Sequence, residues 1–201
     1  MASLAFSEYR LRTLHCVDHI RLKLASRLHI SPNSVTLAGL GLSVIASALL
    51  LKGWLLASGL VLTLSLVMDL LDGAIARSSG RTTTFGAFLD SVSDRYSEGI
   101  LYIALVGHLL IVNQPQLVVL AMTSLFGAMS VSYIRARAQS LGITCEGGWF
   151  ARPARSAVIV IGLLLGLIAL MVWILAIGTN FTALQRIWIV WRQSASPSIR
   201  I

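Results

Sequence analysis

Four aspartates stand in two closely spaced pairs within an otherwise apolar part of the sequence. Asp69 and Asp72 are three residues apart, and Asp90 and Asp94 are four residues apart. These spacings place each pair on one face of a helix, because residues three or four apart are neighbours on a helix surface. Carboxylate oxygens are the ligands that hard divalent cations prefer. The two pairs therefore predict an all-oxygen site for Mg²⁺, with room for two ions.

Ion pairing is the alternative explanation for these carboxylates. A charged side chain at membrane depth costs about 2.5–3.5 kcal/mol on insertion scales, so four carboxylates need compensating partners. Arg77, Arg81 and Arg95 could supply them as salt bridges. The metal site is favoured, because salt bridges require neither paired spacing nor the glycines that accompany the aspartates, Gly73 and Gly86.

The composition of the 201-residue chain is that of a membrane protein. Hydrophobic residues make up 56% and charged residues 12%, whereas average chains contain about 25% charged residues. Apolar runs of about 18 residues or more are typical of membrane-spanning helices. The net charge of +8 does not indicate nucleic acid binding, because the basic residues flank the apolar runs at alternate ends.

The apolar runs predict an all-α integral membrane protein that forms a bundle of six transmembrane helices. The predicted segments are 35–51, 54–76, 87–111, 116–138, a short helix that ends near Gly162 or Gly166, and a last helix over 168–191. One long span over 156–178 is the alternative for the end of the chain. In that span Gly162 and Gly166 would form a GxxxG motif for helix packing.

The distribution of basic residues favours six spans. An even number of spans returns Arg186 and Arg192 to the cytoplasmic side, and of the 16 basic residues only Lys52 then lies outside. Cytoplasmic ends of membrane helices carry an excess of Lys and Arg. We therefore expect a multi-pass protein of the cytoplasmic membrane, with the aspartates facing the cytoplasm.

Three consecutive parts follow from this organisation. Residues 1–30 mix apolar and basic residues and predict an amphipathic juxtamembrane helix on the cytoplasmic leaflet. Residues 31–192 form the predicted transmembrane domain, and residues 193–201 a C-terminal tail. Ser31 and Pro32 predict the start of the first span, since serine caps helices and proline favours their first turn.

The aspartates belong to a longer pattern, D-x2-D-G-x2-A-R-x8-G-x3-D-x3-D, which runs from Asp69 to Asp94 without a gap. With it the chain resembles the CDP-alcohol phosphatidyltransferases, membrane enzymes that move a phosphatidyl group from a CDP-lipid to an alcohol. The resemblance implies Asp69, Asp72, Asp90 and Asp94 as ligands of two Mg²⁺ ions, with Mn²⁺ as the alternative metal. It implies Asp94 also as the general base that accepts the proton of the attacking hydroxyl.

The same resemblance implies five residues around the CDP-lipid. Gly73 and Gly86 would let the backbone approach the CDP group closely, and Arg77 would contact the phosphates. Asn33 and Thr36 match positions that line the nucleotide pocket in family members. The alternatives are helix packing for the glycines and helix capping for Asn33.

Five arginines indicate that the acceptor alcohol carries a phosphate. They are expected on one membrane face: Arg135, Arg137, Arg152, Arg155 and Arg186. Guanidinium groups bind phosphate in a bidentate manner, and an uncharged alcohol would not need them. Anchoring to lipid headgroups is the alternative for each of them.

The order of motifs after the aspartates is similar to that of the phosphatidylinositol phosphate synthases of actinobacteria and related prokaryotes. The motifs are Tyr-Ile-Arg-Ala-Arg-Ala, Gly-Gly, Arg-Pro-x-Arg and Gln-Arg. The resemblance implies CDP-diacylglycerol and inositol 1-phosphate as substrates, CMP as product, and a homodimer among membrane lipids. It implies four residues that bind the acceptor phosphate: Arg135, Arg137, Arg155 and Arg186. The chain departs from the pattern at Ala151 and Ala154, where acidic residues are expected. Archaeal relatives use archaetidyl lipids, and the headgroup chemistry would be the same.

Other functions fit parts of the sequence. Glycerol 3-phosphate as acceptor would make the chain a phosphatidylglycerol phosphate synthase. An ion-coupled transporter would also use carboxylates within the membrane, but here they cluster at one predicted surface and their motif does not recur. A membrane prenyltransferase would need more spans than this length supplies. Glu98, one turn beyond Asp94, could support the metal ligands from behind, and it is left unassigned.

Overall fold

The computed structural model describes residues 31–78, 83–145 and 147–194; the side chains of Pro32 and of residues 71–78 are outside that description. The predicted juxtamembrane helix of residues 1–30 and most of the predicted tail therefore lie outside the described residues.

Every regular element within those ranges is an α-helix, which confirms the all-α prediction. Six helices follow one another: α1 Pro32–Leu51, α2 Leu55–Ser78, α3 Thr84–Ile111, α4 Pro115–Ser140, α5 Arg152–Leu164 and α6 Ile168–Ser194. Helix α1 begins at the predicted cap, where the Ser34 N–H donates to Ser31 Oγ at 3.2 Å. The Pro at the start of α1 needs no backbone donor in the first turn.

The helices differ in their fitness to cross a membrane. Within the described ranges, three segments are long and apolar enough: Asn33–Leu51, Pro115–Ser140 and Ile168–Ser194. Helix α2 contains a shorter apolar stretch, Leu55–Leu70. The 13 residues of α5 rise about 20 Å at 1.5 Å per residue, which is less than the roughly 30 Å hydrocarbon core. The apolar helices indicate an integral membrane protein, and the number of six spans stays a prediction.

The last two helices are separated by a turn at Gly166. Its φ of 68° is a left-handed conformation that glycine adopts without strain. The Leu167 N–H donates to the carbonyl of Gly162 at 2.8 Å, as in a Schellman helix ending. A Cβ on Gly162 would lie 2.6 Å from Met171 Cβ, so α5 and α6 pack closely beside the turn. The prediction of two helices is confirmed, and the alternative of one span over 156–178 is wrong.

Two compact units divide the chain. The described part of the first contains residues 31–42, 64–78 and 83–96, and that of the second contains residues 43–63, 97–145 and 147–194. In the second unit α4 packs along α6, and an apolar core forms around buried residues such as Leu50, Leu101, Leu105, Leu163 and Val172. The predicted metal ligands belong to the first unit and the predicted acceptor arginines to the second.

Candidate active site

In the first unit, Asp69 lies half-buried where the apolar stretch of α2 ends. Its carboxylate faces Gly39 of α1, because a Cβ built on Gly39 would lie only 2.8 Å from Asp69 Oδ1. One turn earlier on α2, Ser65 Oγ donates a hydrogen bond to the carbonyl of Gly39 at 2.8 Å. The glycine thus makes room for the carboxylate and the serine ties the two helices together at that point.

Asp90 and Asp94 lie one turn apart on α3, and both are half-buried. The helix confirms that they are i, i+4 neighbours, as their spacing predicted. The side chain of Asp72 is outside the described part, and among the side chains that are described no three of Asp, Glu, His or Cys come together as a metal-binding group. The convergence of all four carboxylates therefore stays a prediction.

The donor chemistry of the three described aspartates fits a divalent cation. Asp69, Asp90 and Asp94 offer carboxylate oxygens, the ligand type that Mg²⁺ and Mn²⁺ prefer. Gly39 leaves the space at Asp69 Oδ1 without a side chain. Of the residues predicted to hold the metal, three are therefore placed in partly accessible positions of one unit.

Two of the residues predicted around the CDP-lipid lie together. A Cβ on Gly86 would lie 3.2 Å from Asn33 Oδ1, so the start of α3 and the start of α1 are in contact at this point. Thr36, one turn beyond Asn33, is buried. The Gly86 N–H donates to Thr83 Oγ1 at 3.0 Å, which makes Thr83 the cap of α3. Gly73 and Arg77 lie in the final turns of α2, where the side chains are not described.

In the second unit, Arg155 forms a buried ion pair with Glu98. Its Nε donates to Glu98 Oε1 at 2.8 Å and its Nη2 donates to Glu98 Oε2 at 3.1 Å. Only 1% of Arg155 and 9% of Glu98 is exposed. This pairing of a fork with a carboxylate is the strong, bidentate kind. Sequence reasoning assigned Arg155 to the acceptor phosphate and left Glu98 without a role.

Arg186 is also buried, but its partners are different. Its Nε donates to the carbonyl of Gly147 at 2.9 Å and its Nη1 donates to the carbonyl of Val131 at 2.6 Å. These acceptors are uncharged, so the hydrogen bonds of Arg186 within the described ranges do not neutralise its positive charge. A buried charge without an ionised partner is unfavourable. An anion bound beside Arg186 would neutralise this charge.

The other predicted acceptor arginines occupy two kinds of position. Arg135 and Arg155 lie near enough to Arg186 for their positive charges to act on it. Arg135 and Arg137 are both exposed, but only Arg135 is among the charges that act on Arg186. Arg137 Nη1 instead donates to Ser140 Oγ at 3.4 Å on the same helix. This difference follows from their spacing, because residues two apart on α4 point in different directions.

The loop between α4 and α5 is held against α6 by a series of polar side chains. Thr182 Oγ1 accepts the N–H of Phe150 at 3.1 Å, and Gln193 Nε2 donates to the carbonyl of Thr144 at 2.9 Å. A Cβ on Gly148 would lie 2.9 Å from Thr182 Cγ2 and 3.0 Å from Arg186 Nε. The absence of a side chain at Gly148 therefore lets the loop lie on the guanidinium of Arg186.

Carboxylates and buried arginines on a helical membrane protein are residue types that enzymes use to handle phosphate groups and their metal ions. The family model of the CDP-alcohol phosphatidyltransferases matches residues 29–191. The chain therefore belongs to the CDP-alcohol phosphatidyltransferase family, whose members act in phospholipid synthesis. Membership argues against the transporter and the prenyltransferase as alternatives.

Relatives within the family include a phosphatidylinositol phosphate synthase and an archaetidylinositol phosphate synthase. The chain is 36% identical over 174 residues to a phosphatidylinositol phosphate synthase of Corynebacterium glutamicum, covering 82% of this chain and 80% of that protein. It is 35% identical over 177 residues to an archaetidylinositol phosphate synthase of Methanothermobacter thermautotrophicus, covering 85% and 88%.

Crystal structures of the Mycobacterium tuberculosis phosphatidylinositol phosphate synthase share the fold. The structure of that enzyme with CDP-DAG bound superposes with a TM-score of 0.81 at 30% identity, and it covers 91% of this chain and 98% of that chain. A second structure of the same enzyme, in complex with manganese and citrate, gives a TM-score of 0.80. The similarity extends over nearly all of both chains.

Two glycines of α1 provide a test of whether the position of the Asp69 carboxylate matters for activity. Gly39→Ala should lower CMP release from a CDP-lipid by about ten-fold or more, because the new Cβ would push the Asp69 carboxylate aside. Displacement of a functional group by about 1 Å can lower the rate by about 10²-fold. Gly41→Ala is the matched control, since a Cβ there meets nothing within 4 Å. It should retain parental activity and bind Mn²⁺ as the parent does. Equal activity in the two variants would contradict the placement of Gly39 against a functional carboxylate.

Proposed function

We propose that this chain transfers the phosphatidyl group of CDP-diacylglycerol to inositol 1-phosphate and releases CMP. The observation that carries the proposal is Arg186, a buried guanidinium with carbonyl partners inside the described ranges and two further arginines near it. A dianionic phosphate would neutralise this charge, whereas free inositol would not. The synthase relatives, similar over more than four-fifths of this chain, support the same acceptor.

We assign the metal to the four aspartates. Asp69, Asp72, Asp90 and Asp94 would hold two Mg²⁺ or Mn²⁺ ions, which supply positive charge to the diphosphate and to the departing CMP. The carboxylate donors of the first unit and the space beside Gly39 support this assignment. The manganese in the mycobacterial enzyme supports it by similarity.

Different residues would have different roles in the reaction. Asp94 would accept the proton of the attacking inositol hydroxyl. The oxygen of that hydroxyl would bond to phosphorus while the bond from phosphorus to CMP breaks. Arg77 would contact the CDP phosphates, and Gly73 and Gly86 would let the backbone approach them. Asn33 and Thr36 would line the nucleotide pocket. The proximity of Asn33 and Gly86 supports one shared pocket for this part of the substrate.

Assembly and placement in the membrane complete the proposal. Residues 31–192 would form one transferase domain of six spans, after a juxtamembrane helix over 1–30 and before a tail over 193–201. The family match over residues 29–191 supports the domain boundaries. The active site would face the cytoplasm, and two copies of the chain would form a homodimer, as the family resemblance implies.

An acceptor comparison tests the proposed function. Purified protein in lipid should release CMP from CDP-diacylglycerol fastest with inositol 1-phosphate, and more slowly with glycerol 3-phosphate, serine or free inositol. A preference for glycerol 3-phosphate would make the chain a phosphatidylglycerol phosphate synthase instead. CDP-archaeol should be compared with CDP-diacylglycerol in the same assay, because one relative is an archaetidyl enzyme. A preference for free inositol would overturn the proposal.

The orientation in the membrane can be measured with single cysteines. Cys16 and Cys145 are first replaced by alanine, so that only an introduced thiol reacts. In intact cells, Lys52→Cys should react with an impermeant thiol reagent and Ser79→Cys should not, because the basic residues predict Lys52 outside. Both variants should react after the membrane is dissolved in detergent. The opposite labelling pattern in cells would place the aspartates on the other side.

A further inference from the structure

We propose that Glu98 is a positioning residue for the acceptor phosphate and that it acts by holding the guanidinium of Arg155. The inference rests on the proposed function, because it assigns Arg155 to the acceptor phosphate. Glu98 lies in α3 and Arg155 in the first turn of α5, 57 residues apart in sequence. Both side chains are buried, and both carboxylate oxygens accept hydrogen bonds from the arginine.

The position of Arg155 is electrostatically unfavourable without Glu98. The N-terminal turn of a helix carries a partial positive charge, which disfavours a cation there. Arg186 adds a second repulsion, since the charges of Arg155 and Arg186 act on each other. The carboxylate of Glu98 offsets both effects. Without it, the four rotatable bonds of the arginine side chain would let the guanidinium turn away from this position.

The hydrogen bonds to Glu98 use one particular edge of the guanidinium. Nε and one N–H of Nη2 bind the carboxylate, and Nη1 donates to the carbonyl of Phe150 at 3.4 Å. An arginine side chain has five N–H donors in a fixed planar fork. Among the described residues, one donor on Nη1 and one on Nη2 therefore remain, and we assign them to the edge between these two nitrogens. That edge matches two oxygens of a phosphate group.

Glu98 thereby fixes which edge of Arg155 is presented. Because Glu98 binds the edge formed by Nε and Nη2, the guanidinium plane is held in one orientation, and so is its edge between Nη1 and Nη2. A hydrogen-bonded carboxylate orients a ligand histidine at a metal site in the same way. The pair is neutral as a whole, whereas Arg186 keeps its charge within the described ranges. Arg155 would then contribute oriented donors to the phosphate and Arg186 would contribute the unbalanced charge.

Kinetics of a Glu98→Gln variant test the proposal. The amide has nearly the shape of the carboxylate but lacks its charge, so it cannot hold the fork. We expect the KM for inositol 1-phosphate to rise by about five-fold or more, and the KM for CDP-diacylglycerol to stay within about two-fold of the parent. A merely structural role would lower the amount of active protein and leave both KM values unchanged. Glu98→Asp, which keeps the charge on a shorter side chain, should give an intermediate KM for the acceptor.

A double-mutant cycle shows whether Glu98 acts through Arg155. Once Arg155→Ala has removed the guanidinium, adding Glu98→Gln should raise the KM for inositol 1-phosphate no further. Tyr102→Phe is the matched control, because Tyr102 is buried one turn after Glu98 on α3 and its hydroxyl has no hydrogen-bond partner within the described part. This control should leave both KM values unchanged.

The possible outcomes separate this proposal from the proposed function. A parental KM for inositol 1-phosphate in both Glu98 variants, equal rises for both substrates, or additive effects with Arg155→Ala would each overturn the positioning role. Should Glu98→Gln not fold, Glu98→Asp carries the same test, because KM does not depend on the fraction of folded enzyme. Should the parent enzyme prefer glycerol 3-phosphate, the proposed substrate fails, and the cycle is repeated with that phosphate to judge Glu98 on its own.

Discussion

Replacement of Asp69, Asp72 or Asp90 by asparagine should each nearly abolish CMP release from CDP-diacylglycerol, a loss of about a thousand-fold or more. Each change removes one negative charge from the proposed two-metal site. Metal ions supply several kcal/mol of charge stabilisation to phosphoryl transfer, and each 1.36 kcal/mol corresponds to a factor of ten in rate. The measurement is CMP release by purified variants that keep the helical content of the parent.

Two controls accompany the aspartate variants. Asp18→Asn makes the same chemical change within residues 1–30, outside the motif, and should keep the parental rate. Removal of metal with a chelator should abolish the activity of the parent enzyme, and Mg²⁺ or Mn²⁺ should restore it. Substantial activity in any of the three motif variants, in folded protein, would show that the replaced carboxylate is not a metal ligand.

Arg186→Ala should raise the KM for inositol 1-phosphate by about ten-fold or more, because a hydrogen bond to a charged group is worth about 1.5–3 kcal/mol. Arg155→Ala should have an effect of the same order. The KM for CDP-diacylglycerol should change little, since other residues are proposed to bind its phosphates. Arg186→Lys should restore activity only in part, because lysine keeps the charge but lacks the planar fork.

Arg192→Ala is the matched control for Arg186→Ala. Both arginines lie on α6, but Arg192 is exposed in its last turn and stacks over Trp188 at 5.4 Å. Loss of Arg192 should therefore leave the KM for inositol 1-phosphate unchanged. If Arg186→Ala behaved like the parent, or if the Arg192 variant showed the same rise, the specific role of Arg186 in phosphate binding would be refuted.

The sequence was sufficient for the features that depend on local spacing. The apolar runs predicted both ends of five of the described helices to within three residues, and for α5 they predicted only where it ends. The i, i+4 relation of Asp90 and Asp94 followed from helix periodicity alone. The family pattern from Asp69 to Asp94 predicted membership in a family that the match over residues 29–191 confirms. Such features are short-range, so a few neighbouring residues contain the information.

Local spacing was ambiguous where one motif allowed two structures. Gly162 and Gly166 fitted a packing motif in one long span as well as a break between two helices. In the structure the two glycines have separate functions, since Gly162 lies against Met171 and Gly166 forms the turn. Chain hydropathy does not distinguish these outcomes, because both leave the same residues in apolar surroundings.

Only the tertiary structure decided which distant side chains meet. Gly39 contacts Asp69 across two helices, and Glu98 pairs with Arg155 across 57 residues of sequence. No periodicity within α1 or α3 identifies such partners, because they depend on how whole helices pack. The sequence thus determined the helices, the aspartate motif and the family. The fold determined that Arg155 has a carboxylate partner while Arg186, within the described ranges, has only carbonyl oxygens.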